Sequence, residues 1–184
     1  MNQTTQQAIF TLKNGGIIIY PTETVLGIGC QSLNKDAINK VYGIKKRDRS
    51  KAMLVLVNSL SMIKRYKKNI SPLEKKLLLS EEPTTVILDN VTGIPDELTG
   101  ENNSLAFRIT KHKFCLELIK AIAQPLVSTS ANLSGEPTAK NHKDLPTELK
   151  NKVDFIIKEH PESNLQKPSR IIKITNNEIQ YIRK

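Results

Sequence analysis

The chain has no tryptophan, and aromatic residues make up only 4% of its 184 positions. A stacking platform for single-stranded nucleic acid needs successive aromatic faces, so that class of binder is poorly supported. Only two cysteines occur, Cys30 and Cys115, far apart and outside any Cys-x-x-Cys. Neither a zinc ribbon nor a dithiol redox site is indicated, and both thiols read as buried small hydrophobes. Long apolar runs are missing as well: residues 52–57 form one of the longest, and residues 2–7 are polar and uncharged. Nothing spans a bilayer or serves as a signal peptide, which predicts a cytoplasmic protein without membrane contact. The sequence also lacks Gly-x-x-x-x-Gly-Lys-Ser/Thr, Gly-x-Gly-x-x-Gly and Gly-x-Ser-x-Gly. A P-loop, a Rossmann phosphate turn and a nucleophile elbow are excluded. The histidines, His112, His142 and His160, share no ligand spacing, and Asp and Glu do not cluster. They read as surface or loop histidines, so no metal site and no hydrolytic acid–base apparatus is expected.

What the chain does have is positive charge, formally +10. Its surface attracts anions such as nucleotides, polyphosphates or a nucleic-acid backbone, and charge alone does not choose among them. The length suits one domain, residues 1–184, with a core large enough to need no disulfide. Helices are expected over 3–13, from 34 or 35 to 47, over 59–66, 71–79 and 112–123. Ser71-Pro72-Leu73-Glu74 reads as a capping box with proline at the first helical position. Strands are expected over 17–20, 25–30, 52–57, 84–88, 104–109, 125–128, 153–158, 170–174 and 178–183, with Asn176-Asn177 as a hairpin turn between the last two. Residues 89–103, 136–152 and 159–168 read as loops, the second with helical fragments. Helices and strands alternate early and strands dominate late, which predicts an α/β fold on a mixed sheet.

Two stretches carry chemistry. Val127-Ser128-Thr129-Ser130-Ala131-Asn132-Leu133-Ser134-Gly135 takes a short apolar strand into a cluster of hydroxyls and an amide that closes on glycine. Such a loop offers hydrogen bonds but no charge. Lys45-Lys46-Arg47 supplies the charge. Cations there complement the C-terminus of the preceding helix, but Asp48-Arg49-Ser50-Lys51 continues the basic stretch to the mouth of a buried strand. Cations beside a hydroxyl-rich loop are the parts of phosphoryl or nucleotidyl transfer, where positioning and charge neutralisation do most of the work. Pro21-Thr22-Glu23-Thr24 is read in isolation as a turn, with a ligand rim as the alternative. Arg108, set among apolar residues, needs an anion, which is either a protein carboxylate or a substrate.

Four segments in order, residues 19–30, 44–47, 105–109 and 125–135, resemble the YrdC/TsaC family of threonylcarbamoyl-AMP synthases, a likeness extending from about Ala8 to the C-terminus. The resemblance implies a single YrdC-like domain with a twisted mixed open sheet, flanking helices and a concave basic cleft. It implies that L-threonine, bicarbonate and ATP give threonylcarbamoyl-AMP and pyrophosphate, toward N6-threonylcarbamoyladenosine at tRNA position 37. The family's Lys-x-Arg and Ser-x-Asn tetrad falls on Lys45, Arg47, Ser130 and Asn132, on the ATP phosphates. Arg49, Lys51, Ser104, Thr138 and Arg183 join the ATP set. Arg108 is placed on the threonine carboxylate, with Thr22 or Thr24, Ser128 and Ser169 around it. Magnesium is expected as the ATP counter-ion, and downstream threonylcarbamoyl-transferase proteins as partners. The chain departs from the family pattern at Leu26, where tyrosine is usual, at Asp48, where proline is usual, and in residues 53–57, which lack the histidine of longer members. A protein binding tRNA or double-stranded RNA, or assisting ribosome assembly, through the same basic cleft is the alternative reading. Carbamoyl transfer of the hydrogenase-maturation type is expected to need further domains.

Overall fold

The structure is a computed structural model describing residues 2–49, 51–139, 141–158 and 167–184. His160, Ser50 and most of the expected 159–168 loop lie outside the described residues.

Its frame is a nine-stranded mixed sheet in the order β7-β1-β2-β6-β3-β5-β4-β8-β9. The strands are β1 (Ile18–Tyr20), β2 (Gly27–Gly29), β3 (Leu54–Val57), β4 (Thr84–Leu88), β5 (Leu105–Ile109), β6 (Leu126–Ser130), β7 (Phe155–Ile156), β8 (Arg170–Thr175) and β9 (Glu178–Arg183). β1 runs parallel to β7, β3 to β5 and β4 to β8, and the remaining neighbours are antiparallel. The helices are α1 (Gln3–Lys13), α2 (Lys35–Lys45), α3 (Leu60–Lys64), α4 (Pro72–Leu78), α5 (Lys113–Ile122) and α6 (Thr147–Lys150). The α/β class and the mixed open sheet are as the sequence predicts.

Local chemistry accounts for the element boundaries. The Asn2 and Asn34 side chains accept from the Thr5 and Ala37 amides and so cap α1 and α2. Ser71 and Glu74 close a reciprocal capping box at the start of α4. α2 ends where Lys46 enters the left-handed region at φ 50°, which turns the chain sharply toward the basic loop. In α5, Phe114, Cys115, Leu118, Ile119 and Ile122 recur at helical spacing and are buried. Asn176 and Asn177, at φ 52° and 64°, make the positive-φ pair that a two-residue hairpin needs.

The structure differs from the sequence reading in one place that matters for the site. β6 does not stop at residue 128 but runs to Ser130, because β2 pairs with its end. Ser130 and Thr129 face Gly27 and Ile28 of β2, while Ser128, Val127 and Leu126 face Leu54, Val55 and Leu56 of β3. Thr129 and Ser130, expected on a loop, therefore sit on a strand paired to β2, more rigidly than a loop could hold them. His112 also departs from expectation: it lies on the connection before α5 but is only 4% exposed.

Candidate active site

A cavity of about 840 Å³ opens over the middle of the sheet. Its floor follows from strand register. Ser128, Leu54, Ala106, Ile87 and Lys173 form one lateral row across β6, β3, β5, β4 and β8, and each lines the cavity. Residues opposed across paired strands share a face, so this row is a direct product of register. Ala106 in the middle of the row keeps the floor low. Arg108 stands two residues further along β5, on the same face and 3% exposed.

The rim comes from connections. Thr22 and Thr24 lie on the β1–β2 turn, Arg47 and Arg49 on the α2–β3 loop, Ser104 and Thr138 on longer loops, and Ser169 and Arg183 on and beside the C-terminal hairpin. Together with Arg108, Ser128 and Ser130 these are eleven of the fourteen residues singled out in the sequence, converging from most of the chain on one cavity. Lys45, Lys51 and Asn132 do not line it.

Lys45 and Asn132 have another occupation. Lys45 is 1% exposed, and its ammonium donates to the carbonyl oxygens of Ser130 and Asn132 and to Asn132 Oδ1, the last at 3.3 Å. Three donors meet three acceptors, so the side chain clamps the end of β6 to α2. Asn132 completes the clamp by accepting from Ser130 Oγ at 2.5 Å and donating to the carbonyls of Leu133 and Glu136 at 3.0 and 2.6 Å. Ser134 N donates to Lys45 O at 3.0 Å, and Gly135 takes a φ of +88° as the loop turns away. Burial, with Arg47 nearby, lowers the Lys45 ammonium to a pKa of about 8. The Lys51 side chain is exposed, while its backbone carbonyl accepts from Arg47 Nε at 2.7 Å.

The segment Pro21-Thr22-Glu23-Thr24 is both turn and rim. Thr22 Oγ1 donates to Val25 O at 2.7 Å and accepts from the amide of Thr24 at 3.0 Å, which fixes the turn and leaves both threonines on the cavity wall. Of the two anions that the sequence leaves open for Arg108, the structure supplies a protein carboxylate: its Nε lies 3.1 Å from Glu23 Oε1, and its Nη1 donates to Thr24 Oγ1 at 3.1 Å. Sequence reasoning misses Glu23 because it lies far from the arginine along the chain, although the buried arginine is itself the signal that such a partner exists. It misses Lys173 too. That residue follows Ile171 by two on β8, the spacing that puts both on the cavity side.

The described lining carries five cationic side chains, Arg47, Arg49, Arg108, Lys173 and Arg183, against one carboxylate, Glu101. Burial lowers the Arg47 guanidinium from its ordinary value, and burial followed by the charge of Arg108 lowers that of Arg183. Cations raised in energy in this way gain when an anion enters. Burial pushes the Cys30 thiol up to about 12 and raises Cys115 too, so neither supplies a thiolate. Among the described residues no group of three His, Cys, Asp or Glu side chains could hold a metal, and no helix is long and apolar enough to cross a membrane. The arrangement can hold and neutralise a polyanion next to a small polar ligand.

A family model for Sua5, YciO and YrdC proteins, described as "Telomere recombination", matches residues 11–184. The chain belongs to this Sua5/YciO/YrdC family. Relatives agree along most of its length. It is 32% identical over 179 residues to the threonylcarbamoyl-AMP synthase of Idiomarina loihiensis, covering 95% of this chain and 96% of that one. The synthase of Hydrogenovibrio crunogenus is 36% identical over 138 residues, covering 72% and 74% respectively. Among solved structures, P. abyssi Sua5 complexed with L-threonine superposes with a TM-score of 0.86 at 25% identity, covering 97% of this chain. The chain spans only 53% of that longer protein. E. coli YciO, at 24% identity and a TM-score of 0.86 over 98% of this chain and 88% of its own, shows that the fold is shared at near full length.

Proposed function

We propose that this chain is a threonylcarbamoyl-AMP synthase acting on L-threonine, bicarbonate and ATP. The observation that carries the reading is one cavity lined by both hydroxyls and several cations. Arg108 with Thr22, Thr24 and Ser128 offers a guanidinium and hydroxyls to a small amino acid, while Arg47, Arg49 and Arg183 offer charge to a polyphosphate. Relatives bearing the synthase name over most of this chain support the same conclusion.

The chemistry fits such a cavity. The threonine amine takes up bicarbonate with loss of water to give a carbamate, an anionic oxygen nucleophile that needs no protein base. A carbamate oxygen then bonds to the α-phosphorus of ATP as the bond to the β-phosphate bridging oxygen breaks, and pyrophosphate leaves with that electron pair. Arg47 stabilises the charge that accumulates on the leaving pyrophosphate, with Arg49 and Arg183 beside it. Ser130, Ser104 and Thr138 hydrogen-bond the nucleotide; Arg108 holds the threonine carboxylate, with Ser169 at the wall. Lys45 and Asn132 act one step back by fixing the strand end that presents Ser130. Magnesium arrives as part of the Mg·ATP substrate. The product, a reactive mixed anhydride, passes in the cytoplasm to a transferase that modifies tRNA adenosine 37.

The test is pyrophosphate release from ATP, bicarbonate and L-threonine by the purified chain. Arg47→Ala, with the fold intact by circular dichroism, is expected to lower the rate by about two to three orders of magnitude. Release that does not depend on threonine would refute the proposal.

A further inference from the structure

The cations of the cavity are not held alike. Arg47 donates to the carbonyls of Lys51 and Ala52 at 2.7 and 3.0 Å, Arg49 to Asn39 Oδ1 at 2.8 Å, and Arg183 to Ser169 O at 3.0 Å. These partners are neutral oxygens. Arg108 is paired with a carboxylate instead, and that pair is buried, with side chains 4% and 18% exposed. Lys173 pairs with Asp89 at 3.2 Å, but there the side chains are 27% and 31% exposed and water screens them more.

The carboxylate of Glu23 is fixed from two sides. Oε1 faces Arg108, and Oε2 accepts from Thr110 Oγ1 at 2.8 Å. The same hydroxyl accepts from the His112 amide at 3.2 Å, which ties the assembly to the start of α5. On the far side Arg108 Nη1 is held by Thr24 Oγ1, itself 3.0 Å from Thr22 Oγ1. The guanidinium therefore sits between the Glu23 carboxylate and the Thr24 hydroxyl and lines the cavity, while Glu23 stays out of the lining.

A negative charge beside Arg108 discriminates between ligands by their charge. Coulomb energy scales with the product of charges, so Glu23 opposes a triphosphate about three to four times as strongly as it opposes a single carboxylate at the same place. We infer that Glu23 is a positioning residue that sets specificity by dividing the cavity: it reserves Arg108 for the carboxylate of the amino acid and leaves the polyphosphate to Arg47, Arg49 and Arg183. The inference deepens the proposed synthase function and rests on it.

The experiment is calorimetric titration of the full chain with L-threonine, alone and in the presence of inorganic tripolyphosphate. For the wild type, tripolyphosphate is expected to leave the threonine affinity within about twofold. In Glu23→Gln, tripolyphosphate should now compete with threonine and lower its apparent affinity roughly tenfold, because Arg108 keeps its charge and loses its brake. Glu23→Asp and Thr110→Val, which retain the charge, should keep the wild-type pattern. A purely structural role would lower the melting temperature and weaken both ligands without creating competition. Competition already present in the wild type, or absent from a folded Glu23→Gln, overturns the inference while leaving the synthase reading standing. Competition appearing in Thr110→Val also overturns it, by showing that position rather than charge is what matters. A wild type that binds no threonine overturns both.

Discussion

Replacing Gly29 by alanine should be far more damaging than the addition of one methyl group suggests. A Cβ at Gly29 would stand 1.7 Å from Val127 O and 2.7 Å from Val127 C, where ordinary contact begins at 3.4 Å. The obstacle is backbone, so no rotamer change relieves it, and β2 must part from β6. Three hydrogen bonds depend on that approach: Val127 N to Cys30 O at 2.9 Å, Ala131 N to Leu26 O at 2.8 Å, and Tyr20 Oη to Val127 O at 3.1 Å. At about 1 kcal/mol each, with about 1–3 kcal/mol of overpacking strain, the loss comes to about 4–6 kcal/mol. For a chain of this size that is a fall in melting temperature of roughly 10–20 °C, a large part of ordinary domain stability. Gly43→Ala is the internal control. It lies inside α2, and a methyl group there would meet nothing within 4 Å, so the same substitution should stabilise by about 0.5–1 kcal/mol. Differential scanning calorimetry of the two variants reads opposite signs. A Gly29→Ala protein that melts within about 2 °C of wild type would refute the reasoning that β2 and β6 are held at this distance.

Other consequences follow from the same geometry. Lys45 has a folded pKa of about 8 against an ordinary 10.5, so above pH 8 the unfolded chain binds its proton more tightly than the folded one does. Its contribution to stability should therefore rise from about pH 8 toward 10.5, and the unfolding free energy of wild type relative to Lys45→Met should climb over that window and stay flat below it. Denaturant titrations at intervals of pH check this, and a difference independent of pH counts against the buried clamp. Asn132→Ala orphans the carbonyls of Leu133 and Glu136 and should cost about 1–3 kcal/mol, with faster proteolysis of the 131–136 loop as a second readout. Ser71→Ala breaks the capping box of α4 and should cost about 1 kcal/mol in thermal unfolding while leaving pyrophosphate release unchanged, since Ser71 lies away from the cavity.

The elements most legible in the sequence are those governed by local chemistry. The capping box at Ser71, the asparagine hairpin and the amphipathic α5 all depend on neighbours a few residues away, and each stands where the residues place it. The full length of β6 is not legible, because small hydroxyl residues resemble a loop and only pairing with β2 draws Thr129 and Ser130 into the strand. The family likeness points to fourteen candidate positions, and eleven of them line one cavity. Their individual postures are not legible in the sequence. Lys45 looks in the sequence like a free cation at a helix end, whereas its burial against Ser130 and Asn132 depends on an 85-residue return of the chain.

By itself, the sequence determined the fold class and most of the secondary structure. A surplus of cations, with no nucleophile elbow and no metal-ligand spacing, leaves anion binding and charge neutralisation as the available chemistry. Only the tertiary structure decided how that charge is distributed. Register across five strands places Ser128, Leu54, Ala106, Ile87 and Lys173 in one row, and the β1–β2 turn brings Glu23 to Arg108. The physical reason is range: capping, turns and periodicity act over a few residues, whereas ion pairs and cavity walls join residues that the chain holds far apart and that packing alone brings together.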